Sequence, residues 1–301
     1  MIHNAPDELL TLLKENAPDN NLPTPTLRKS YSDLYKEVQS EALAANDYQL
    51  ESVPLANGAT GTWITLPGVF SGRVILFFHG GGFTLGSTED HLGLCVRLAR
   101  ASLARIFSVD YRLAPEHTFP APVEDAVTAY RYLTAKGYQP HNILPTGICA
   151  GGTIVLGLLI TLRDERLPLP RAAICMSPIT DLSFPGESVT KNQARDWISE
   201  SRLKSIRTTY LAGHDPDNSL ASPIHAHLAG LPRLYIQVGT HELLLSDVGK
   251  FIDRARWAGV PVQAELYEGM FHNWQLFADE IPEGVEAIGH AAAFAQDILG
   301  R

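Results

Sequence analysis

One hexapeptide constrains this chain more than any other stretch: Gly147-Ile148-Cys149-Ala150-Gly151-Gly152. Before it, Tyr138–Thr146 ends as a short apolar run that reads as a buried strand. After it, Thr153–Leu162 is apolar for long enough to be a buried helix. Strand, tight glycine turn, helix is the setting that lifts a nucleophilic side chain to the top of a sheet. A thiol placed there faces the positive end of the following helix, which favours its thiolate. The hexapeptide alone is also compatible with a plain turn holding a small, inert, buried cysteine, so the rest of the chain decides.

From Tyr48 onward the chain alternates strand and helix patterns. Tyr48–Pro54 and Thr60–Leu66 are β-rich, with Ala56-Asn57-Gly58 as a hairpin turn between them. Arg73–Phe78 and Arg105–Asp110 are continuous apolar strands, and Ala172–Ser177, Leu234–Val238 and Val262–Tyr267 follow the same texture. His91–Arg100, Val123–Lys136, Ser246–Ala258 and Glu283–Leu299 read as the intervening helices. The alternation predicts a mostly parallel sheet covered on both faces. Residues 1–46 add two amphipathic helical patterns, Asp7–Lys14 and Tyr31–Val38, with Asn20–Pro25 as a loop. Residues 183–210 are polar and helical between two strands, an insertion expected to lie with the N-terminal helices above the sheet. The expectation is a single domain over residues 1–301 whose cap is built from 1–46 and roughly 183–210.

Composition narrows the function. A net charge of −9 with no Lys/Arg run leaves no electrostatic footprint for a nucleic acid or an anionic membrane. No stretch approaches the roughly 20 apolar residues of a membrane span, and the acidic N-terminus lacks a secretory pattern. Three cysteines, Cys95, Cys149 and Cys175, are an odd number at no metal-ligand spacing. A cytoplasmic, reduced protein is expected, where a catalytic thiolate survives. The pair His225 and His227 lacks carboxylates at suitable spacing, so no metal is expected.

Three further elements fit a nucleophile at 149. His79-Gly80-Gly81-Gly82-Phe83 ends a buried strand, and its run of glycines suits backbone passing close to a ligand. The amides of Gly81 and Gly82, with that of Ala150, could converge on a developing oxyanion. A nucleotide loop is a poorer fit, because neither G-x-G-x-x-G nor G-K-[S/T] is present. Among 11 histidines, His272 follows the last strand, where open α/β sheets place their chemistry. Glu242 is the first carboxylate after Leu234–Val238; Asp247 is the competing acid, and His241 reads as a surface residue. The chain order is then Cys149, Glu242, His272, that is nucleophile, acid, histidine.

At this point the sequence resembles the hormone-sensitive-lipase-like family of α/β hydrolases, especially its bacterial esterase and lactone-hydrolase members. The matching pieces are His79–Phe83, Asp110–His117, Phe119–Ala121 with Glu124-Asp125, Cys149–Gly152, Ser177–Leu182, Ala221–Pro223, Gly239–Glu242 and His272. The resemblance implies an α/β-hydrolase fold with an eight-stranded core, a helical cap, and an acyl-enzyme mechanism without cofactor. It implies oxyanion donors at Gly81, Gly82 and Ala150, and structural roles for Arg112 and Glu116. The departure is in the elbow, where the family's Gly-Asp-Ser-Ala-Gly-Gly is here Gly-Ile-Cys-Ala-Gly-Gly. With Ile148 altered as well as Cys149, the cysteine reads as natural; the dienelactone hydrolases resemble this chain in having a cysteine elbow.

Sulfur changes the chemistry expected. A thiolate attacks readily but also leaves readily, so a tetrahedral intermediate on an alkyl ester tends to expel sulfur. Productive turnover favours aryl or enol esters, lactones and thioesters of a small apolar acyl group. His272 is read as general base then acid, with Glu242 holding its tautomer. An acyl transferase, or a lyase or isomerase on the same scaffold, is the alternative reading, and a non-catalytic small-molecule receptor a further one. A homodimer stays open. Tyr31, Tyr35, Trp197, Tyr210 and Trp274 are candidates for the pocket wall.

Overall fold

The computed structural model describes residues 6–19 and 22–300. Its strands are β1 (Gln49–Pro54), β2 (Thr60–Thr65), β3 (Phe70–Phe78), β4 (Ala104–Asp110), β5 (Ile143–Ile148), β6 (Ala172–Met176), β7 (Arg233–Gly239) and β8 (Val262–Tyr267). They form one eight-stranded sheet in the order β1-β2-β4-β3-β5-β6-β7-β8. β1 and β2 run antiparallel at one edge, and every pairing from β4 to β8 is parallel. β5 and β6 are buried along their whole length, as a strand covered on both faces must be.

The helices are α1 (Pro6–Asn16), α2 (Thr24–Glu37), α3 (Ser40–Leu43), α4 (Leu92–Ser102), α5 (Ala121–Ala135), α6 (Ala150–Asp164), α7 (Ser188–Lys191), α8 (Glu200–Leu211), α9 (Leu245–Trp257) and α10 (Pro282–Leu299). α4 packs on α10 and α5 on α6. α6 lies against β3, β5 and β6, and its buried stripe is continuous from Ala150 to Ile160.

Two stretches differ from expectation. Asn20 and Asn21 of the expected loop lie outside the described residues, while Thr24 and Pro25 already open α2. Proline is tolerated in a first helical turn, where its missing N–H has no partner to lose. The 183–210 stretch is helical only in α7 and α8, and α8 starts where Ser199 Oγ accepts the Arg202 N–H at 3.1 Å. Side chains hold the N-terminal helices to the body. Arg28 pairs with Glu116 at 2.7 Å and donates to the carbonyls of Thr84 and Ala114. Ser32 donates to Asp90 at 2.6 Å, and Gln39 Oε1 accepts the Gly93 N–H at 2.7 Å.

Candidate active site

Cys149 stands between β5 and α6 with φ +54° and ψ −120°, a backbone region that residues other than glycine rarely enter. Its surroundings enforce that turn. The Cys149 N–H donates to the Met176 carbonyl at 2.9 Å, and its own carbonyl accepts the Gly152 N–H at 3.0 Å. Gly151 permits the close approach that follows: a β-carbon there would sit 2.0 Å from the Phe78 carbonyl oxygen. The thiol is buried but lines a cavity of about 40 Å³.

Glu242 and His272 meet beside it. The His272 Nδ1 lies 2.8 Å from Glu242 Oε2, and His272 lines the same cavity as Cys149, close enough for each to shift the other's charge. Glu242 is fully buried, and its Oε1 accepts from Ser177 Oγ and from the Gly239 N–H, both at 2.7 Å. The amides of Gly81 and Ala150 also act to favour the charged form of that thiol. Gly81 reaches it with φ +114°, a conformation that favours glycine. Gly82 lines the same cavity.

The charges follow from this geometry. Burial by itself pushes the Cys149 thiol up, but the His272 imidazolium and the Gly81 and Ala150 amides outweigh it and hold the thiol below its ordinary value. Burial disfavours the His272 cation too, yet the Cys149 thiolate and then Glu242 carry that imidazole well above its usual value. Cys95 and Cys175 lack such neighbours, and burial pushes both thiols up.

Residues that sequence reasoning did not assign to the site hold Glu242 and His272. Asp196 is buried, and its carboxylate accepts the backbone N–H groups of His272, Leu243 and Trp197 at 3.0, 2.8 and 2.8 Å. Burial raises its pKa to about 6. Trp197 Nε1 donates to the His272 carbonyl at 2.7 Å, and Asn192 Nδ2 donates to the carbonyls of Thr240 and Glu242. No motif marks Asp196 or Asn192. Ser177 had a signal, its place at the C-terminal end of β6.

Of the aromatic residues considered for the wall, Tyr31, Tyr35 and Trp197 line the cavity. Tyr210 stacks on Phe83 at 3.7 Å, and Trp274 packs against Tyr267 at 4.9 Å, so both belong to the core. The wall is not wholly apolar, because Arg202 joins Leu203 and Ile206 of α8 in it. Asp247 lies in the first turn of α9, is raised to about 6 by burial, and has Lys250 at 3.8 Å. His241 is half-buried rather than a surface residue. Arg112 pairs with Asp125 at 2.7 Å and is not among the residues that line the cavity. His225 faces Asp217 at 3.4 Å and Asp181 at 3.8 Å; among the described residues no group of three or more His, Cys, Asp or Glu could hold a metal. No helix among them is long and apolar enough to cross a membrane.

Fold and site together define a protein of the α/β-hydrolase type, and comparison with known proteins agrees. A family profile for the alpha/beta hydrolase fold matches residues 75–276, and the chain belongs to that family. It is 41% identical over 242 residues to an acetyl-hydrolase of Streptomyces hygroscopicus, covering 80% of this chain and 81% of that one. It is 35% identical over 228 residues to an esterase of Acinetobacter venetianus, with 75% of each chain covered. Among solved structures, an esterase of the bacterial hormone-sensitive lipase family is 40% identical, with a TM-score of 0.92 over 98% of both chains.

Proposed function

We propose that this protein is a carboxylesterase-type acyl hydrolase in which Cys149 is the nucleophile. The observation that carries this is Cys149 at a turn with φ +54°, sharing one cavity with Gly81, Gly82 and a His272 whose Nδ1 lies 2.8 Å from Glu242. Ester hydrolysis is the activity named for its relatives, an esterase and an acetyl-hydrolase. Because the thiol is lowered and the imidazole raised, the pair is biased toward thiolate and imidazolium. His272 therefore acts first as an acid.

The thiolate attacks the ester carbonyl, forming the C–S bond and a tetrahedral oxyanion. The amides of Gly81 and Ala150, joined by Gly82, pass from the sulfur to that oxygen as its charge develops. As the C–O bond breaks, His272 gives its proton to the departing oxygen, and the alcohol leaves. Neutral His272 then takes a proton from water, hydroxide adds to the thioester, and collapse expels the thiolate and releases the acid. Glu242 holds the ring so that Nδ1 stays protonated and supports the cation.

Sulfur leaves from the tetrahedral intermediate more readily than an alkoxide does, so good leaving groups are favoured: aryl and enol esters, lactones and thioesters. The cavity beside Cys149 is small, about 40 Å³, which suits a short acyl group on the sulfur. A reducing compartment such as the cytoplasm keeps the thiolate intact. The N-terminal helices and residues 183–210, as a cap over the cavity, exclude bulk water.

The test is a panel of alkyl, aryl and enol acetates, lactones and thioesters, run on the wild type and on Cys149→Ser. The wild type is expected to prefer activated esters, with an acyl adduct on Cys149 seen by mass spectrometry during turnover. Cys149→Ser is expected to lose that preference. A wild type that turns over ethyl acetate as fast as phenyl acetate would sink the leaving-group argument.

A further inference from the structure

Arg202 is 6% exposed and lines the same cavity as the Cys149 sulfur. Its partners are few. Nη2 donates to Thr84 Oγ1 at 3.0 Å, and the guanidinium carbon lies 5.9 Å from the Tyr31 ring centre. Among the described residues no carboxylate lies within ion-pair distance of it, although a guanidinium has five N–H donors to satisfy. Its place in the fold makes this odder. Arg202 is in the first turn of α8, where the helix dipole disfavours a cation, and the acid of that turn, Glu200, pairs instead with Lys204 at 2.7 Å. A buried, unpaired cation is costly, and burial lowers the pKa of this one.

Two more donors face the same space. The Tyr31 and Tyr35 side chains are buried and line the cavity, and neither hydroxyl hydrogen-bonds another described residue. Burial raises both phenols, Tyr35 strongly, so both stay neutral O–H donors. A planar fork and two hydroxyls beside a reactive sulfur form a site for a planar, bidentate anion.

We propose that Arg202, with the hydroxyls of Tyr31 and Tyr35, binds a carboxylate of the substrate, so that the ester turned over carries a carboxylate a few atoms from its scissile carbonyl. This deepens the acyl-hydrolase reading and rests on it for the word substrate; the anion site itself is tested without turnover. Iodoacetate and iodoacetamide alkylate a thiolate by the same displacement, in which the C–S bond forms and iodide leaves with the C–I electrons. They differ in presenting a carboxylate or a neutral amide.

The experiment measures the iodoacetate-to-iodoacetamide rate ratio at Cys149 by mass spectrometry, beside the same ratio for glutathione. The wild-type ratio is expected to exceed that of glutathione by about tenfold or more, as for a charge-assisted hydrogen bond to an anion. Arg202→Met is expected to bring it to the glutathione value, and Arg202→Lys to keep part of it. A wild-type ratio equal to that of glutathione overturns the proposal without any variant having to fold. So does an Arg202→Met protein that keeps the ratio but needs higher pH for alkylation by iodoacetamide, because Arg202 then serves only the thiolate. A second readout is kcat/KM for 3-acetoxybenzoate against its methyl ester, which the proposal expects to favour the acid in the wild type and not in Arg202→Met. Failure of the acyl-hydrolase reading looks different: no acyl adduct forms on Cys149 with either ester, whatever the alkylation ratio.

Discussion

The β5–α6 turn and the 188–202 segment meet at one cavity but are held by opposite means. The turn is fixed by backbone. Cys149 is pinned through its N–H and carbonyl to Met176 and Gly152, on a strand buried between neighbours on both sides. The segment is fixed by side chains: Asp196, Asn192 and Trp197 tie it to the loops that carry Glu242 and His272. A side chain on a sheet can be placed by the sheet alone. Two side chains that come from two separate loops need a third piece of chain to set their spacing.

Four changes would break or sharpen that contrast. Cys149→Ala is expected to lower kcat/KM for 4-nitrophenyl acetate by roughly 10⁴-fold or more, with melting temperature nearly unchanged, because the backbone of the turn does not depend on the sulfur. Retained turnover in that variant would remove the nucleophile from the scheme. His272→Ala is expected to cost roughly 10³-fold, the range of general acid–base catalysis.

It should also change the pH dependence of alkylation by iodoacetamide. The lowered thiol ionises as pH rises through a value below the ordinary thiol range, and His272 stays protonated until its raised value is passed. Wild-type alkylation therefore begins below that range. With the imidazolium gone and burial remaining, the midpoint in His272→Ala moves upward. A midpoint that moves down or stays would contradict the ion pair.

Asp196→Asn tests the side-chain tether. The amide that replaces Oδ2 would face the Leu243 N–H, donor against donor. A loss of about 1–3 kcal/mol in stability is expected, measured by urea unfolding. Activity should fall roughly 10- to 100-fold as the imidazole shifts, with the acyl adduct still formed on Cys149. The smallest effect is expected from Cys175→Ala. That thiol is as buried as Cys149 but has no imidazole beside it, and burial keeps it neutral. Its removal should change kcat/KM by less than about threefold and leave only a small packing defect.

Much of this protein was legible along the chain because the determining physics is local. Apolar runs at strand and helix spacing marked every strand of the sheet, and Val262–Tyr267 has the same bounds in the sequence reading and in β8. The elbow announced itself through glycines whose β-carbons would strike neighbouring backbone, as at Gly151. Cys149, Glu242 and His272 were singled out by their order after β5, β7 and β8, and the fold joins Glu242 to His272 by a hydrogen bond and sets His272 and Cys149 on one cavity. The walls were read less well: Tyr210 and Trp274 are aromatic like Tyr31 and Tyr35, and only packing separates core from cavity.

The sequence by itself determined the sheet, the turn and the kinds of side chain brought to it, because strand periodicity and glycine sterics act over a few residues. The tertiary structure alone decided which charges face one another. The ionisation of Cys149 follows from His272, 123 positions later in the chain. The tether at Asp196 and the unpaired guanidinium of Arg202 exist only once an irregular, polar segment is laid against loops far from it in sequence. Electrostatics and hydrogen bonding depend on distance in space, and no local pattern in a chain encodes that.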